Sequence, residues 1–524
     1  MKHEVLQHQI LTSTWLRFLL VVVLLLGILF RFYNLDQKVY WIDETYTSLR
    51  ISGYTKAEFT KQVFNGHVID VKDLQKYQEI NPEKGLNDTV NSLVLEDIQH
   101  PPLYYVLTRL VVQWYGNSVA VIRSVSALIS LLVFPCIYWL SRELFNSSLV
   151  AWMAVAIIAV SPFHVLYAQE AREYSLWTVI ILLSSASLLQ AMRLKTKLSW
   201  VTYAATLVLG FYSFLFSVLI VVSHGLYVFA TENFRLSKTV KIYLFASLVA
   251  FITYIPWLIH FHKLGGVDWL NGNIGLSVVV RRWVGDISLL FIDFNIGAKD
   301  SLIYAFLTAS ILLALVAYSI YFLLSTTPRR VWIFILLLIG VTAMVLILPD
   351  LIWGGQRSTV PRYVIPCFLG IQLSVAYLLA TQIVSSNLLI RKVWQAIVAV
   401  LILSGIISCV VSSQSKTWWN KTISNYAIQT AHVINKTSHP LVVSTIDNAD
   451  EILVLSHLLD TKVQLQLMNK SNVAEIPSGF KNVFLFNPSQ GFRHEFQTKS
   501  GYRVEPIYPT ELKLYKLTKL PEHV

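Results

Sequence analysis

Charge is scarce in this chain. Asp, Glu, Lys and Arg make up 14% of its 524 residues and hydrophobic residues 55%, where an average soluble domain carries about 25% charged residues. That balance excludes a soluble globular protein. It also excludes disorder, which needs low hydrophobicity and high charge. Cysteine is scarcer still, with Cys136, Cys367 and Cys409 each inside or beside an apolar run. Three thiols so scattered form neither a disulfide framework nor a zinc knuckle, and read as buried small hydrophobes. Asp, Glu, Lys, Arg and His are absent from 301–324, 331–349 and 363–384. Ion-coupled transporters place such groups at mid-depth, where they mark the ion path. A transporter or lipid-carrier flippase is therefore the weaker reading. His224 is an isolated exception and reads as a helix-packing or interfacial histidine.

What is abundant is long apolar sequence. A spanning helix needs about 20 mostly apolar residues. Runs occur at 16–33, 118–140, 148–166, 174–192, 199–215, 216–232, 241–260, 301–324, 331–349, 361–384 and 392–412. The first is too long for a signal-peptide core, and Arg31, Phe32 and Tyr33 replace a small-residue cleavage site, so it reads as a signal anchor. Val278 to Ile296 carries Arg281, Arg282, Asp286 and Asp293 and reads as interfacial or re-entrant. The expectation is a multi-pass α-helical membrane protein of about eleven spans, thirteen at most.

Lys and Arg outnumber Asp and Glu by 42 to 30. In a soluble protein that surplus would suggest nucleic acid as a partner. Here the cations sit between apolar runs, with no basic patch interleaved with aromatics, so no nucleic acid is expected. The connections holding Arg142, Arg193/Lys195/Lys197, Arg235/Lys238/Lys241, Arg329/Arg330 and Arg391/Lys392 are all basic, whereas Asn34 to His100 holds 11 acidic and 7 basic residues. By the positive-inside rule the basic connections are cytoplasmic, and the loop at 34–117 and the C-terminal tail are extracytoplasmic. The tail changes character at about 413. Residues 441–446, 462–467, 482–487 and 511–518 read as strands and Asn448 to Leu459 as a helix. Two regions follow: a transmembrane domain at 1–412, including the loop at 34–117, and a small α/β domain at 413–524.

Polar residues gather at the outer ends of the spans. Asp43 and Glu44 sit between aromatics about ten residues after the first span, where two adjacent carboxylates serve either chemistry or a helix N-terminus. His100 precedes Pro101-Pro102-Leu103-Tyr104-Tyr105, at the start of an amphipathic helix. Ser161 to Tyr174 (SPFHVLYAQEAREY) packs six polar side chains into one short turn, among them Glu170 and Arg172, whose guanidinium can make a forked contact with phosphate. Pro361-Arg362-Tyr363 places another arginine at an outer span end, where snorkelling is the alternative role.

Together with Arg123, these segments resemble the membrane glycosyltransferases of the C superfamily (GT-C), in the families of protein O-mannosyltransferases and bacterial aminoarabinose-type lipid A transferases. The matching pieces are Asp43-Glu44, His100 to Tyr105, Arg123, the SPFHVLYAQEAREY turn and Pro361 to Pro366 (PRYVIP). They cover roughly residues 10–410. The resemblance implies transfer of a sugar from a polyprenyl-phosphate carrier to an acceptor glycan, lipid or protein on the outer face of the plasma membrane. It further implies an inverting single displacement with Asp43 as general base and Glu44 orienting it or touching the acceptor. His100, Arg123, Arg172, Tyr104, Glu170, Arg362 and Tyr363 become donor-phosphate or substrate residues, Arg123 and Arg172 first among them. Some members of the superfamily bind a divalent cation, and Asp43, Glu44, His100 and His262 could supply ligands, though nothing in their spacing requires one. In the lipid A branch a lysine stands where His100 stands. No connection here holds the β-trefoil insertion of the eukaryotic mannosyltransferases, which favours a bacterial enzyme. A non-enzymatic scaffold would not need Asp43, Glu44 and Arg172 on one face.

Overall fold

The computed structural model describes residues 14–263, 265, 270, 272, 274–293, 302–418, 421, 426–469, 476–499 and 501–519. They divide into two units. The first holds residues up to Leu35, Ile98–Tyr104 and Arg123–Gln414, and the second Asp36–Asp97, Tyr105–Ile122 and Ser415 onward.

The first unit is helical. Seven helices are long and apolar enough to cross a membrane among the described residues: Val119–Phe145, Tyr174–Leu194, Lys238–Leu258, Phe306–Thr326, Arg329–Trp353, Pro361–Gln382 and Leu388–Gln414. An eighth span would be Ser148–Ala159 plus Pro162–Ala168, a pair bent by 61°. All eleven apolar runs are helices, but not all are long enough. Lys197–Phe211 and Ser217–Thr231 have 15 residues each, or about 22 Å at 1.5 Å per residue, short of a core about 30 Å thick. Thr14–Phe32 has 19 residues. The ambiguous stretch after Val278 forms the amphipathic helix Leu276–Ser288, and residues 294–296 of it lie outside the described residues. Arg282 and Trp283 tie that helix to the loop before Pro361, reaching Gln356 Oε1 at 2.7 Å and Ser358 Oγ at 3.1 Å.

The bend between Ala159 and Pro162 has a local cause. Proline cannot continue the hydrogen-bond ladder, and the carbonyls it abandons need other donors. Arg31 supplies them, fully buried, with Nη1 2.8 Å from the Ala159 carbonyl and Nη2 3.2 Å from that of Ile158. Gly27 lets the first helix come this close. A Cβ there would stand 2.6 Å from the Ala159 oxygen. Ser161 Oγ donates to the Leu290 carbonyl at 2.7 Å, and His164 Nε2 meets Gln372 Oε1 at 2.8 Å. His224, with Nε2 3.1 Å from Ser185 Oγ and Nδ1 3.2 Å from the Tyr203 hydroxyl, is a buried helix-packing histidine. The three cysteines are buried and form no disulfide.

The second unit is built on a six-stranded sheet of β1 (Asn65–Asp70), β2 (Pro440–Thr445), β3 (Gln464–Met468), β4 (Asn482–Phe486), β5 (Tyr502–Pro506) and β6 (Leu514–Lys519), in the order β1-β3-β2-β4-β6-β5. β2 pairs in parallel with β3 and β4, and the outer pairings are antiparallel. The central strand LVVST is buried along its whole length, as a run of β-branched residues covered on both faces requires. The sheet differs from the sequence reading in two strands, because β5 (Tyr502–Pro506) was not among the four expected and β1 lies elsewhere in the chain. Its β1 comes from the loop at 34–117, not from 413–524. Leu49, Phe59, Val71 and Leu74 of that loop share one core with Ile434, Leu453 and Leu465 of the tail, so the two stretches fold together. β1 lacks the unbroken apolar pattern of a buried strand, because it is an edge strand with alternating exposure.

Candidate active site

In the first unit the predicted residues gather around the segment before Tyr174. His100 Nδ1 lies 2.7 Å from Glu173 Oε1, and Arg172 Nη2 lies 3.1 Å from His100 Nε2 and 3.5 Å from Glu173 Oε1. Glu173 is fully buried. Burial alone would push its carboxyl up, but the charges of Arg172 and His100 and the His100 hydrogen bond pull it down to about 2. Glu173 is therefore ionised at any working pH.

Tyr104 is held through Ser126. The Ser126 hydroxyl donates to the Arg172 carbonyl at 3.1 Å, so the Tyr104 hydroxyl donates to Ser126 Oγ at 2.7 Å. One helical turn before Ser126, Arg123 reaches the Leu35 carbonyl at 2.6 Å. Gln169 anchors the turn, its Nε2 2.7 Å from the Phe30 carbonyl and 2.9 Å from that of Tyr33. Arg362 and Arg172 face the same aromatic, their guanidinium carbons 5.6 and 5.9 Å from the Tyr174 ring centroid. Tyr363 packs edge-on against Phe216 at 5.2 Å. Glu170 is buried and joins the segment through its carbonyl, 2.8 Å from the Arg172 amide.

The structure thus brings His100, Tyr104, Arg172, Arg362 and Tyr363 into one network, with Arg123 and Glu170 beside it in sequence. Two members escaped sequence reasoning. Glu173, not Glu170, is the carboxylate on His100. Both stand in the same short motif, and only the geometry of the turn separates them. Ser126 was legible only as Arg123 plus three on a helix.

Asp43 and Glu44 belong to the second unit, in the first turn of the helix Ile42–Ile51. Glu44 is fully buried, and its Oε2 accepts from the Trp41 amide at 3.3 Å. That is the capping position, where a carboxylate satisfies an amide at the positive end of a helix. Asp43, one residue earlier, is half-buried. The segment before them is fixed by alternating rings and cations. Lys421 Nζ lies 4.1 Å from the Trp41 centroid and 4.3 Å from that of Trp418, and Lys38 Nζ lies 4.9 Å from Trp418. Trp418 Nε1 donates to the Val39 carbonyl at 2.8 Å. Lys38, Trp418 and Lys421 carried no signal in the sequence that tied them to Asp43. Glu96 and Asp97 are structural. They bind the buried Arg50 at 2.8 and 2.6 Å, and Glu96 also accepts from the Lys56 and Ala57 amides at 2.6 and 2.9 Å.

Among the described residues, no three of His, Cys, Asp and Glu gather in a way that could hold a metal ion. His262 is exposed and bonds its own turn, at the Ile259 carbonyl.

Residues 99–260, which include His100, Tyr104, Arg123, Glu170 and Arg172, match the family described as dolichyl-phosphate-mannose-protein mannosyltransferase. No curated protein matches the chain. Among solved structures it is similar to ArnT from Cupriavidus metallidurans bound to undecaprenyl phosphate, with a TM-score of 0.53 and 13% identity over 98% of this chain and 99% of that one. The chain has the GT-C fold of ArnT. The apo state of the same ArnT gives a TM-score of 0.52 and 13% identity, covering 96% and 98% of the two chains. This ArnT- and mannosyltransferase-like chain is a multi-span membrane protein whose sheet unit belongs to the fold that it shares with ArnT.

Proposed function

We propose that the chain is an integral membrane glycosyltransferase that moves a sugar from a polyprenyl-phosphate donor to an acceptor hydroxyl on the extracytoplasmic face. The observation that carries this is the cluster of half-buried His100 with buried Arg172 and Glu173, and Arg362 on the Tyr174 ring that Arg172 also faces. Glu173 fixes the positions of His100 and Arg172 while offsetting one positive charge. Arg362 and Arg123 add charge at the same end of the spans, where a lipid-borne phosphate would stop. The family match at 99–260 supports the reading, as does the undecaprenyl phosphate bound by the similar ArnT.

The reaction is a single displacement with inversion. The acceptor oxygen bonds to the anomeric carbon as the bond from that carbon to the phosphate oxygen breaks. The acceptor proton passes to Asp43, and the leaving electron pair stays on the phosphate, beside the arginines. Glu44, committed to the Trp41 amide, holds the helix that presents Asp43.

The test is sugar release and transfer by the purified protein in nanodiscs. A panel of radiolabelled polyprenyl-phosphate sugars is offered with crude envelope as acceptor, beside an Asp43→Ala control. Transfer from one donor that vanishes in the control supports the reading and names the sugar. If well-folded protein neither binds nor consumes any donor, the reading is wrong.

A further inference from the structure

The far end of the same helix carries a second polar feature. Tyr174–Leu194 starts beside Arg172 and Glu173 and has Arg193 in its last turn. Its 21 residues span about 30 Å at 1.5 Å each, the thickness of a bilayer core. Arg193 therefore lies on the other side of the membrane from the cluster described above.

There a cavity of about 430 Å³ opens between the helix ends, lined by Glu143, Arg193, Tyr227, Asn233, Arg329 and Arg330 among others. Glu143 is its one lining carboxylate, against three guanidiniums. That carboxylate is already engaged, gripping Arg193 through two bonds, at 2.7 and 2.9 Å. The grip holds the Arg193 fork in one orientation and neutralises one charge of the three. Arg329 and Arg330 are the first two residues of the 25-residue helix Arg329–Trp353, whose macrodipole adds positive potential at the same point. The side chains next in sequence are apolar and exposed: Leu194 at 46% and Phe234 at 71%. The lining itself holds Leu189, Met192, Val331 and Ile333, apolar surface for which a soluble anion has no use but against which lipid chains can lie.

We infer that this cleft binds the headgroup phosphate of an anionic phospholipid, with the acyl chains lying along that apolar surface. Basic pockets between spans recognise such headgroups by charge, at about fivefold in affinity per arginine. The inference is independent of what the protein transfers, because it uses none of the residues of the candidate active site.

The experiment uses the delipidated full chain in neutral detergent, titrated with dioleoyl phosphatidylglycerol or dioleoyl phosphatidylcholine and read by native mass spectrometry. Wild type is expected to retain phosphatidylglycerol at a concentration at least tenfold lower than phosphatidylcholine. R329Q and R330Q should each lose about fivefold of that preference, and R329Q/R330Q nearly all of it. R281Q, on the separate Leu276–Ser288 helix, should keep it. Each variant is used at equal thermal stability, and the single variants decide if the double one fails to fold. Equal retention of both lipids by wild type overturns the inference. So does a preference unchanged in R329Q and R330Q. Displacement of the lipid by an equal concentration of inorganic phosphate would identify a soluble-anion site and overturn it as well.

Discussion

His100 and Glu173, 73 positions apart, meet at 2.7 Å, and this pair sets the electrostatics of the cluster. Because Glu173 is buried and ionised, it holds the ring of His100 and the guanidinium of Arg172 in place together. Glu173→Gln keeps the shape and removes the charge. It should lower kcat for sugar transfer by about 10²-fold, the scale seen when a preorganised electrostatic partner is lost, with a smaller change in donor KM. Glu170→Gln, measured beside it, should cost much less. Equal losses in the two variants would show that the pairing has no role in turnover.

The same carboxylate predicts a pH dependence of stability. Its value falls from 4.5 in the free group to about 2 in the fold. A depressed carboxylate contributes stability that is complete above its unfolded value and is lost as pH falls through the folded one. Acid unfolding in detergent, followed by tryptophan fluorescence, should therefore show a loss of stability between about pH 4.5 and 2. Glu173→Gln should flatten that window, and identical acid profiles would assign the loss to other groups.

Asp43 and Glu44 are adjacent, but Glu44 is buried on the Trp41 amide and Asp43 is half-buried, so under the proposed mechanism their substitutions should separate. Asp43→Asn should abolish transfer by a factor of about 10² to 10⁴, the range for general-base catalysis, with no change in melting temperature. Glu44→Ala should cost about 1 kcal/mol of stability through the lost cap, and Glu44→Gln, which can still accept from the Trp41 amide, should recover most of it. The reverse pattern, with Glu44 carrying the rate and Asp43 the stability, would exchange the two roles.

Much of this was legible in the sequence, for identifiable reasons. The spans were, because hydropathy over about 20 residues is a one-dimensional signal. That polar residues such as His100, Arg172 and Arg362 gather at span ends was legible, but their contacts with one another and with the Tyr174 ring were not. Span lengths were less so: the break between Lys197–Phe211 and Ser217–Thr231 falls where the runs 199–215 and 216–232 divide, but each helix has only 15 residues, short of a core about 30 Å thick. The pairing of β1 with β3 was not legible either. It joins residues 400 positions apart, and an edge strand with alternating exposure looks like the loop around it. Arg31 read as the close of a signal anchor, whereas it caps the carbonyls of a broken helix some 130 positions away, a contact that no local pattern announces.

That role of Arg31 gives a structural prediction. Arg31→Met removes the guanidinium from the Ala159 carbonyl, while the Ile158 carbonyl keeps the Ser161 amide at 3.4 Å. Buried unsatisfied groups cost about 1–3 kcal/mol each, so the thermal midpoint in detergent should fall sharply. Gly27→Ala should act at the same place, because its Cβ would meet the Ala159 oxygen at 2.6 Å and backbone has little room to yield. A midpoint unchanged in both variants would show that the break is not held by the first helix.

The last prediction joins the fold of the second unit to the side of the membrane it occupies. Asp70 on β1 stands directly opposite Gln464 on β3 in an antiparallel register. Facing residues in such a pair have Cα atoms about 4.5–5.5 Å apart, within the range that a disulfide bridges. The three natural cysteines are buried in the helical unit and do not compete. In the double variant D70C/Q464C, purified and oxidised, a bond should form that joins the two fragments after a protease cut between them, and neither single variant should show it. Failure to form it under oxidant would break the register and, with it, the joint folding of loop and tail. The state of the same pair in cells then reports location. Disulfides persist in extracytoplasmic compartments and are reduced in the cytoplasm. A bond already present when cells are quenched with a thiol-blocking reagent fits an extracytoplasmic sheet unit, and with it an outward-facing Asp43. Thiols that stay reduced in cells but oxidise readily after purification would put Asp43 on the cytoplasmic side and reverse the orientation proposed above.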